Sequence, residues 1–163
     1  MGDVRAADSG DLPLLPAIER AADGLFAPLG IAFPPGCVIE GVHDPGPVLV
    51  AGRPPVAFAF ADELDGRLHL HQLAVHPSQG RRGLGSALLA AVVERARGAG
   101  GAVTLTTFRD VPWNAPWYAR HGFREMEPSR WGPRLAAQVE TERLAGLDRL
   151  GPRVVLWLPL SHS

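Results

Sequence analysis

The sequence predicts a layered α/β (α+β) fold, in which antiparallel strands lead into a βαβ unit. Three observations predict it. Apolar stretches at 48–51, 56–64 and 68–75 follow one another closely, joined by Gly52-Arg53-Pro54-Pro55 and by Asp65-Gly66. The second joint is a strong hairpin pair, so three antiparallel strands run in series. Leu84, Leu88 and Val92, with Ala87 and Ala91 between them, then repeat at helical spacing. Val103–Phe108 follows that helix and must run parallel to the strand before it, because a helix has crossed over.

Taken in order, Val4-Arg5-Ala6 reads as a short first strand. Asp8 or Ser9 can cap a helix containing Leu12, Leu15 and Ile18 and ending near Gly24. Pro13 suits the first turn of that helix, and Pro16 fits less well. Residues 25–47 hold Pro28, Pro34, Pro35, Pro45 and Pro47 and read as an irregular loop with a short helix near Ala27–Ala32. Its Leu25, Phe26, Leu29, Ile31 and Phe33 are core or pocket wall. After the helix that starts at Gly83 and ends near 98–101, Trp113–Arg120 reads as a short helix stopped by His121-Gly122. Phe123–Glu127 is a strand, Leu135–Leu147 a helix with charge on one side, and Val154–Leu158 a last strand ended by Pro159.

The 163 residues fit one domain, 1–163, with a sizeable core. A net charge of -1 provides no field for nucleic acid or an anionic membrane. The longest unbroken apolar run, Ala87–Val93, is too short to span a bilayer. The N-terminus lacks a basic-then-apolar signal pattern. Cys37 is alone, which excludes an internal disulfide and a cysteine metal cluster. These features point to a cytoplasmic protein. The 19 Gly and 16 Pro, with much Ala and Arg, suggest a GC-rich bacterial source.

The stretch Val75–Leu89 organises the rest. An apolar strand ends, a turn rich in Gly and Arg follows, and a helix begins. Gly80, Gly83 and Gly85 let the backbone approach a bound group. The first amides of a helix lack partners and sit at its positive end, which makes a phosphate seat. Arg81 and Arg82 add charge beside it, or are simply two solvated arginines on a tight turn. Upstream, His69 and His71 alternate with Leu70 and Gln72, so both imidazoles project from one face. Such a pair can take a proton near neutral pH. It can also be structural, bonded to backbone, or a metal pair, for which no convincing third ligand is present.

Gly80-Arg81-Arg82-Gly83-Leu84-Gly85 resembles the acetyl-CoA signature of the GNAT N-acetyltransferase superfamily, Arg/Gln-x-x-Gly-x-Gly/Ala. Gly80 departs from its first position, and Gln79 stands one place earlier. His69-Leu70-His71-Gln72-Leu73-Ala74-Val75-His76 resembles a strand of the arylalkylamine N-acetyltransferases in that superfamily. Asn114-Ala115-Pro116-Trp117-Tyr118-Ala119-Arg120-His121-Gly122-Phe123 resembles its Asn-x-x-x-Tyr-x-x-x-Gly-Phe segment.

The resemblance implies a mostly antiparallel mixed sheet with helices on both faces. It implies acetyl-CoA as co-substrate, no metal, and direct acetyl transfer to a primary amine. His71 is the general base, His69 the second member of a water relay, and Tyr118 the acid for the leaving thiolate. Glu63 is a weaker candidate base. Gly80, Arg81, Arg82, Gly83, Leu84, Gly85 and Ser86 hold phosphate. Asn114 and Tyr118 meet the pantetheine arm and sulfur. Leu73, Ala74 and Val75 offer the backbone donor for the carbonyl. Cys37 lies outside every motif.

Phe26, Phe33, Trp113, Trp117 and Trp131 line an acceptor pocket or are plain core. Asp62, Glu63 and Asp65 read as solvated. The acceptor is expected to be a small-molecule amine, with a protein amine or a non-catalytic acyl-CoA-binding module as alternatives. A monomer or homodimer is expected.

Overall fold

A computed structural model describes residues 3–80, 82–99 and 101–160. Seven strands run β1 (Val4–Ala6), β2 (Val48–Ala51), β3 (Ala57–Leu64), β4 (Arg67–Val75), β5 (Ala102–Phe108), β6 (Arg124–Glu125) and β7 (Arg153–Pro159). Their order in the sheet is β1-β2-β3-β4-β5-β7-β6. The helices are α1 (Leu15–Asp23), α2 (Leu84–Ala99), α3 (Ala115–Arg120), α4 (Pro133–Leu144) and α5 (Leu147–Leu150). The fold is therefore the mixed α/β sheet that the sequence predicts, with β4 and β5 parallel at Leu68–Val103 and His69–Thr104. No helix among the described residues is long and apolar enough to cross a membrane.

Internal contacts divide the chain into two compact units. The first holds residues up to Asp62 and Leu70–Arg95; the second holds Glu63–His69 and Ala96 onward. The first unit is built on Leu15, Ile18, Ile39, Val48, Val50, Phe58 and Ala74, all buried. The helical region after β1 opens with a 3-10 turn, Leu12–Leu14, and α1 starts only at Leu15. Pro16 thus sits in the first turn of α1, where it removes no internal hydrogen bond. Asp8 caps nothing inside the helix; its Oδ1 accepts from Gly10 and Asp11 amides and holds the turn before it. Residues 25–47 carry two 3-10 segments, Gly24–Leu29 and Val38–Gly41. Phe26 and Ile31 are buried there, whereas Leu25 and Leu29 are exposed.

In the second unit, β5 and β7 pair along seven residues. β7 ends at Pro159, as expected, with that proline opposite Ala102 as the last pair of the ladder. β6 is only two residues long and pairs with β7 at Arg124–Trp157 and Glu125–Leu156. The expected helix, α4, starts two residues early and ends at Leu144, close to Gly146 as expected; Gly146, in the left-handed region, then leads into the short α5. Leu135 of α4 packs with Met126 and Val155, flanked by Trp131, Val139 and Trp157.

Candidate active-site residues

The turn expected to seat phosphate enters α2 at Gly83. Gly83 has φ +74, a left-handed value that favours glycine, and a Cβ there would meet open space. The Ala87 amide donates to the Gly83 carbonyl, so the chain enters α2 directly from this residue. Leu84, Gly85 and Ser86 form the first turn of α2, the positive end of the helix, which favours an anion. Arg82 is exposed beside them; Arg81 lies outside the described residues. Gly80 is different: its φ of -62 suits any residue, and its amide donates to the Pro77 carbonyl. His76 holds the turn that precedes the seat, its Nδ1 accepting from the Ser78 amide at 3.1 Å. The buried stripe of α2 is Leu84, Leu88, Leu89, Val92 and Ala96; Ala87 is exposed.

The two histidines of β4 have different partners. His71 Nε2 lies 2.6 Å from Asp62 Oδ1, and its ring stacks on Phe60 with centres 4.8 Å apart. Its side chain is 13% exposed, enough for a small group to reach. Nε2 donates to the carboxylate, so the basic nitrogen of the neutral ring is Nδ1. His69 is 1% exposed, and its Nδ1 lies 2.8 Å from Thr104 Oγ1.

Of the acids beside the hairpin, expected to be solvated, Asp62 and Glu63 are about half exposed, and all three also make bonds. Asp62 holds His71. Glu63, the alternative base, pairs with Arg134 at 3.2 Å. Asp65 accepts from the Arg134 and Leu135 amides, at 3.1 and 2.8 Å, and so caps α4 from a distance in sequence.

Two residues that sequence reasoning missed stand behind β4. Gln72 Oε1 accepts from the Leu73 amide at 3.0 Å. The Gln72 side chain also bonds the Glu19 carboxylate. Glu19 is 2% exposed and accepts from Val38 and Ile39 amides at 2.6 and 3.0 Å. Burial pushes its carboxyl up, and these hydrogen bonds oppose the rise. Asp23, one turn on, is pushed up to about 6 by burial and then by the Glu19 charge. A signal existed: Leu15, Ile18, Glu19 and Ala22 form one helical stripe, and a glutamate in an apolar stripe needs buried partners.

Tyr118 is buried in α3, its ring edge-on to Phe123 and Trp117. Burial pushes its phenol well above the usual tyrosine value. Asn114 stands at the start of α3, but its side chain makes no capping bond, which leaves the amide for other work. The aromatic residues have local packing roles. Phe26 packs edge-on to Phe33, Trp117 lies 4.1 Å from the His121 ring, and Trp131 Nε1 donates to the Met126 carbonyl. Burial also raises the Cys37 thiol, which keeps it protonated. Among the described residues, no three His, Cys, Asp or Glu side chains are placed to hold a metal.

Solved structures place this architecture in the class of N-acetyltransferase folds. N-acetylglutamate synthase from Neisseria gonorrhoeae, complexed with coenzyme A and N-acetyl-glutamate, superposes with TM-score 0.73 at 20% identity. The match covers 99% of this chain and 35% of that one, so the chain spans about a third of the synthase. The ribosomal-protein-S18-alanine N-acetyltransferase from Escherichia coli matches with TM-score 0.63 at 20% identity, covering 100% and 96% of the two chains. PaiA N-acetyltransferase from Thermoplasma acidophilum, in complex with coenzyme A, gives 0.62 at 13% identity, covering 98% and 99%. At these identities the likeness is one of fold. The sequence itself supplies the next step: the model of the acetyltransferase (GNAT) domain matches residues 44–125, half of the chain. The chain belongs to the GNAT acetyltransferase family.

Proposed function

We propose that the chain is an N-acetyltransferase that moves the acetyl group of acetyl-CoA to the primary amine of a small molecule. His71 serves as base and Tyr118 as donor to the departing sulfur. The observation that carries this reading is the setting of His71: fixed by Asp62, stacked on Phe60, and partly open. An amine attacks only when neutral. His71 Nδ1 takes the proton, and Asp62 stabilises the imidazolium that results. His69, sealed against Thr104, is a relay member only through water that reaches the buried ring.

Gly83, Arg82 and the first turn of α2 (Leu84, Gly85, Ser86) are suited to the pyrophosphate of coenzyme A, with Gly80 and Arg81 just before them in sequence. The backbone at Leu73, Ala74 and Val75 supplies a donor for the thioester carbonyl, which gains negative charge as the amine attacks. Of the three amides, that of Leu73 is already paired with Gln72 Oε1, so its use requires the carbonyl oxygen to replace that acceptor. The carbon–sulfur bond then breaks, and the thiolate receives a proton. Tyr118 stays protonated throughout the working pH range. Burial makes the phenol a weaker donor, so its acid role requires a leaving thiolate whose proton affinity the same site raises. Asn114 offers its amide to the pantetheine arm.

The test has two parts. Saturating acetyl-CoA raises the melting temperature, because a ligand bound only by the native state stabilises it. A panel of primary amines then reveals thiol release that depends on enzyme and acceptor together. No melting shift in a folded sample removes the cofactor assignment; a shift without thiol release from any amine leaves a non-catalytic acyl-CoA-binding module.

A further inference from the structure

The amide of Leu73 already holds a carbonyl oxygen of the chain's own. Strand amides ordinarily serve the neighbouring strand. This one donates to Oε1 of Gln72, the side chain just before it, at 3.0 Å. The side-chain amide of Gln72 also bonds the carboxylate of Glu19 in α1. Each end fixes the other: a backbone N–H requires the oxygen of the glutamine amide, and a carboxylate requires its NH2 group. Glu19 is itself anchored, 2% exposed and accepting from the Val38 and Ile39 amides at 2.6 and 3.0 Å. All of these residues belong to the first unit, as do His71 and the turn at Gly83. Gln72 and Leu73 are only half-buried, so the bond between them is not sealed off.

The chemistry of the occupant gives the bond a meaning. A glutamine side chain presents an amide carbonyl, planar and polarised, which accepts a hydrogen bond more strongly than a resting thioester carbonyl does. It accepts less strongly than an oxyanion, whose charge roughly doubles the strength of such a bond. A thioester that competes with Gln72 for the Leu73 amide therefore gains little on binding and much once the amine has attacked. An interaction made mainly in the transition state speeds the reaction, whereas one made equally in the ground state does not. Before the thioester arrives, Gln72 keeps the donor paired. A vacant amide would hold water, which the acyl group would have to displace.

We propose that Gln72 is a positioning residue that fills the thioester-carbonyl seat of the free chain. Its Oε1 keeps the Leu73 amide until an acyl oxygen replaces it, and Glu19 keeps Gln72 in place. This rests on the acetyltransferase reading given above, and deepens it.

The experiment measures binding, without acceptor, of acetyl-CoA and of S-ethyl-CoA, a thioether that has a methylene where acetyl-CoA has its carbonyl. The wild-type chain binds the two alike, because the carbonyl gains only what Gln72 gives up. Gln72→Leu removes the competitor, and acetyl-CoA then binds ~5-fold more tightly than S-ethyl-CoA, the value of one neutral hydrogen bond. A merely structural glutamine moves both ligands together. An acetyl-CoA to S-ethyl-CoA ratio that is the same in both proteins overturns the proposal and leaves the cofactor assignment standing. If a folded wild-type chain binds neither ligand, the acetyltransferase reading fails and the proposal falls with it. Where Gln72→Leu leaves Glu19 too poorly paired to fold, nitrogen-15 NMR of the wild-type chain decides. The Leu73 amide and Gln72 side-chain resonances then shift with acetyl-CoA and stay with S-ethyl-CoA; equal responses to the two ligands overturn the proposal.

Discussion

His69 and His71 stand two residues apart on one strand, yet they occupy different chemical worlds. His71 has a carboxylate at 2.6 Å, an aromatic ring against its face and an opening. His69 has a hydroxyl at 2.8 Å and no exposure worth the name. The alternation of a strand explains why both leave the same face. It says nothing about what waits there. Asp62 accepts from Nε2 of His71 and fixes that ring and its tautomer; Thr104 orients the His69 ring in a buried setting. A base needs the first arrangement, and a packed side chain is content with the second.

That contrast can be broken or sharpened by substitution. The largest effect belongs to His71→Ala, expected to cut kcat by ~10²–10⁴-fold, the range of a general base. Single-turnover measurement checks it, since slow product release hides the chemical step; an undiminished rate would make His71 structural, and the same result in the His69→Ala/His71→Ala double variant would make both histidines so. Tyr118→Phe keeps the ring and removes the proton, with an expected loss of ~10²-fold in kcat and little change in acetyl-CoA affinity. Equal losses in rate and affinity would instead make Tyr118 only a wall.

Asp62→Asn follows. It keeps the shape and removes the charge, so a loss of ~10-fold in kcat is expected, about one charge-assisted hydrogen bond. The unchanged melting temperature of this half-exposed position distinguishes it from a folding defect. His69→Ala reverses the pattern: stability falls by ~1–3 kcal/mol, because the Thr104 hydroxyl is left in a dry site, while the rate falls less than for Asp62→Asn. Denaturant titration reads the first and turnover the second. His69→Gln, which restores a partner for Thr104, recovers part of the stability.

The smallest effect guards the interpretation of pH profiles. Asp23 titrates near 6 in the folded chain, inside the range of ordinary histidines. Its folded value is raised above the unfolded value of ~3.9, so its stabilising contribution is complete below that value. The contribution is lost as pH climbs through about 6. Asp23→Asn is therefore expected to raise the melting temperature by a few degrees at pH 7 and not at all at pH 3.5. Equal shifts at both would place the cause elsewhere.

The fold was legible because its signals are local. The Asp65-Gly66 pair, the Leu84–Leu88–Val92 stripe and the glycine turn each act within a few residues. The candidate site was legible only in part. Its motifs announce themselves at Gly83, His71 and Tyr118, but their supporting residues arrive from elsewhere in the chain. Asp62 reaches His71 across nine positions, Glu19 reaches Val38 across nineteen, and Asp65 reaches Arg134 across sixty-nine. Nothing near Asp62 in sequence separates a carboxylate that orients an imidazole from one that meets water.

The link between Asp65 and α4 has a consequence for how the sequence can change over time. A Cβ on Gly132 would stand 2.2 Å from the Asp65 Cγ, so the helix entrance accepts glycine alone while the aspartate is there. Asp65 in turn occupies the left-handed turn position at φ +56, which asparagine tolerates and most residues do not. Each position thus restricts what the other may become. Drift at one is blocked until the other has moved, and the two codons, though sixty-seven places apart, are expected to be inherited as a pair.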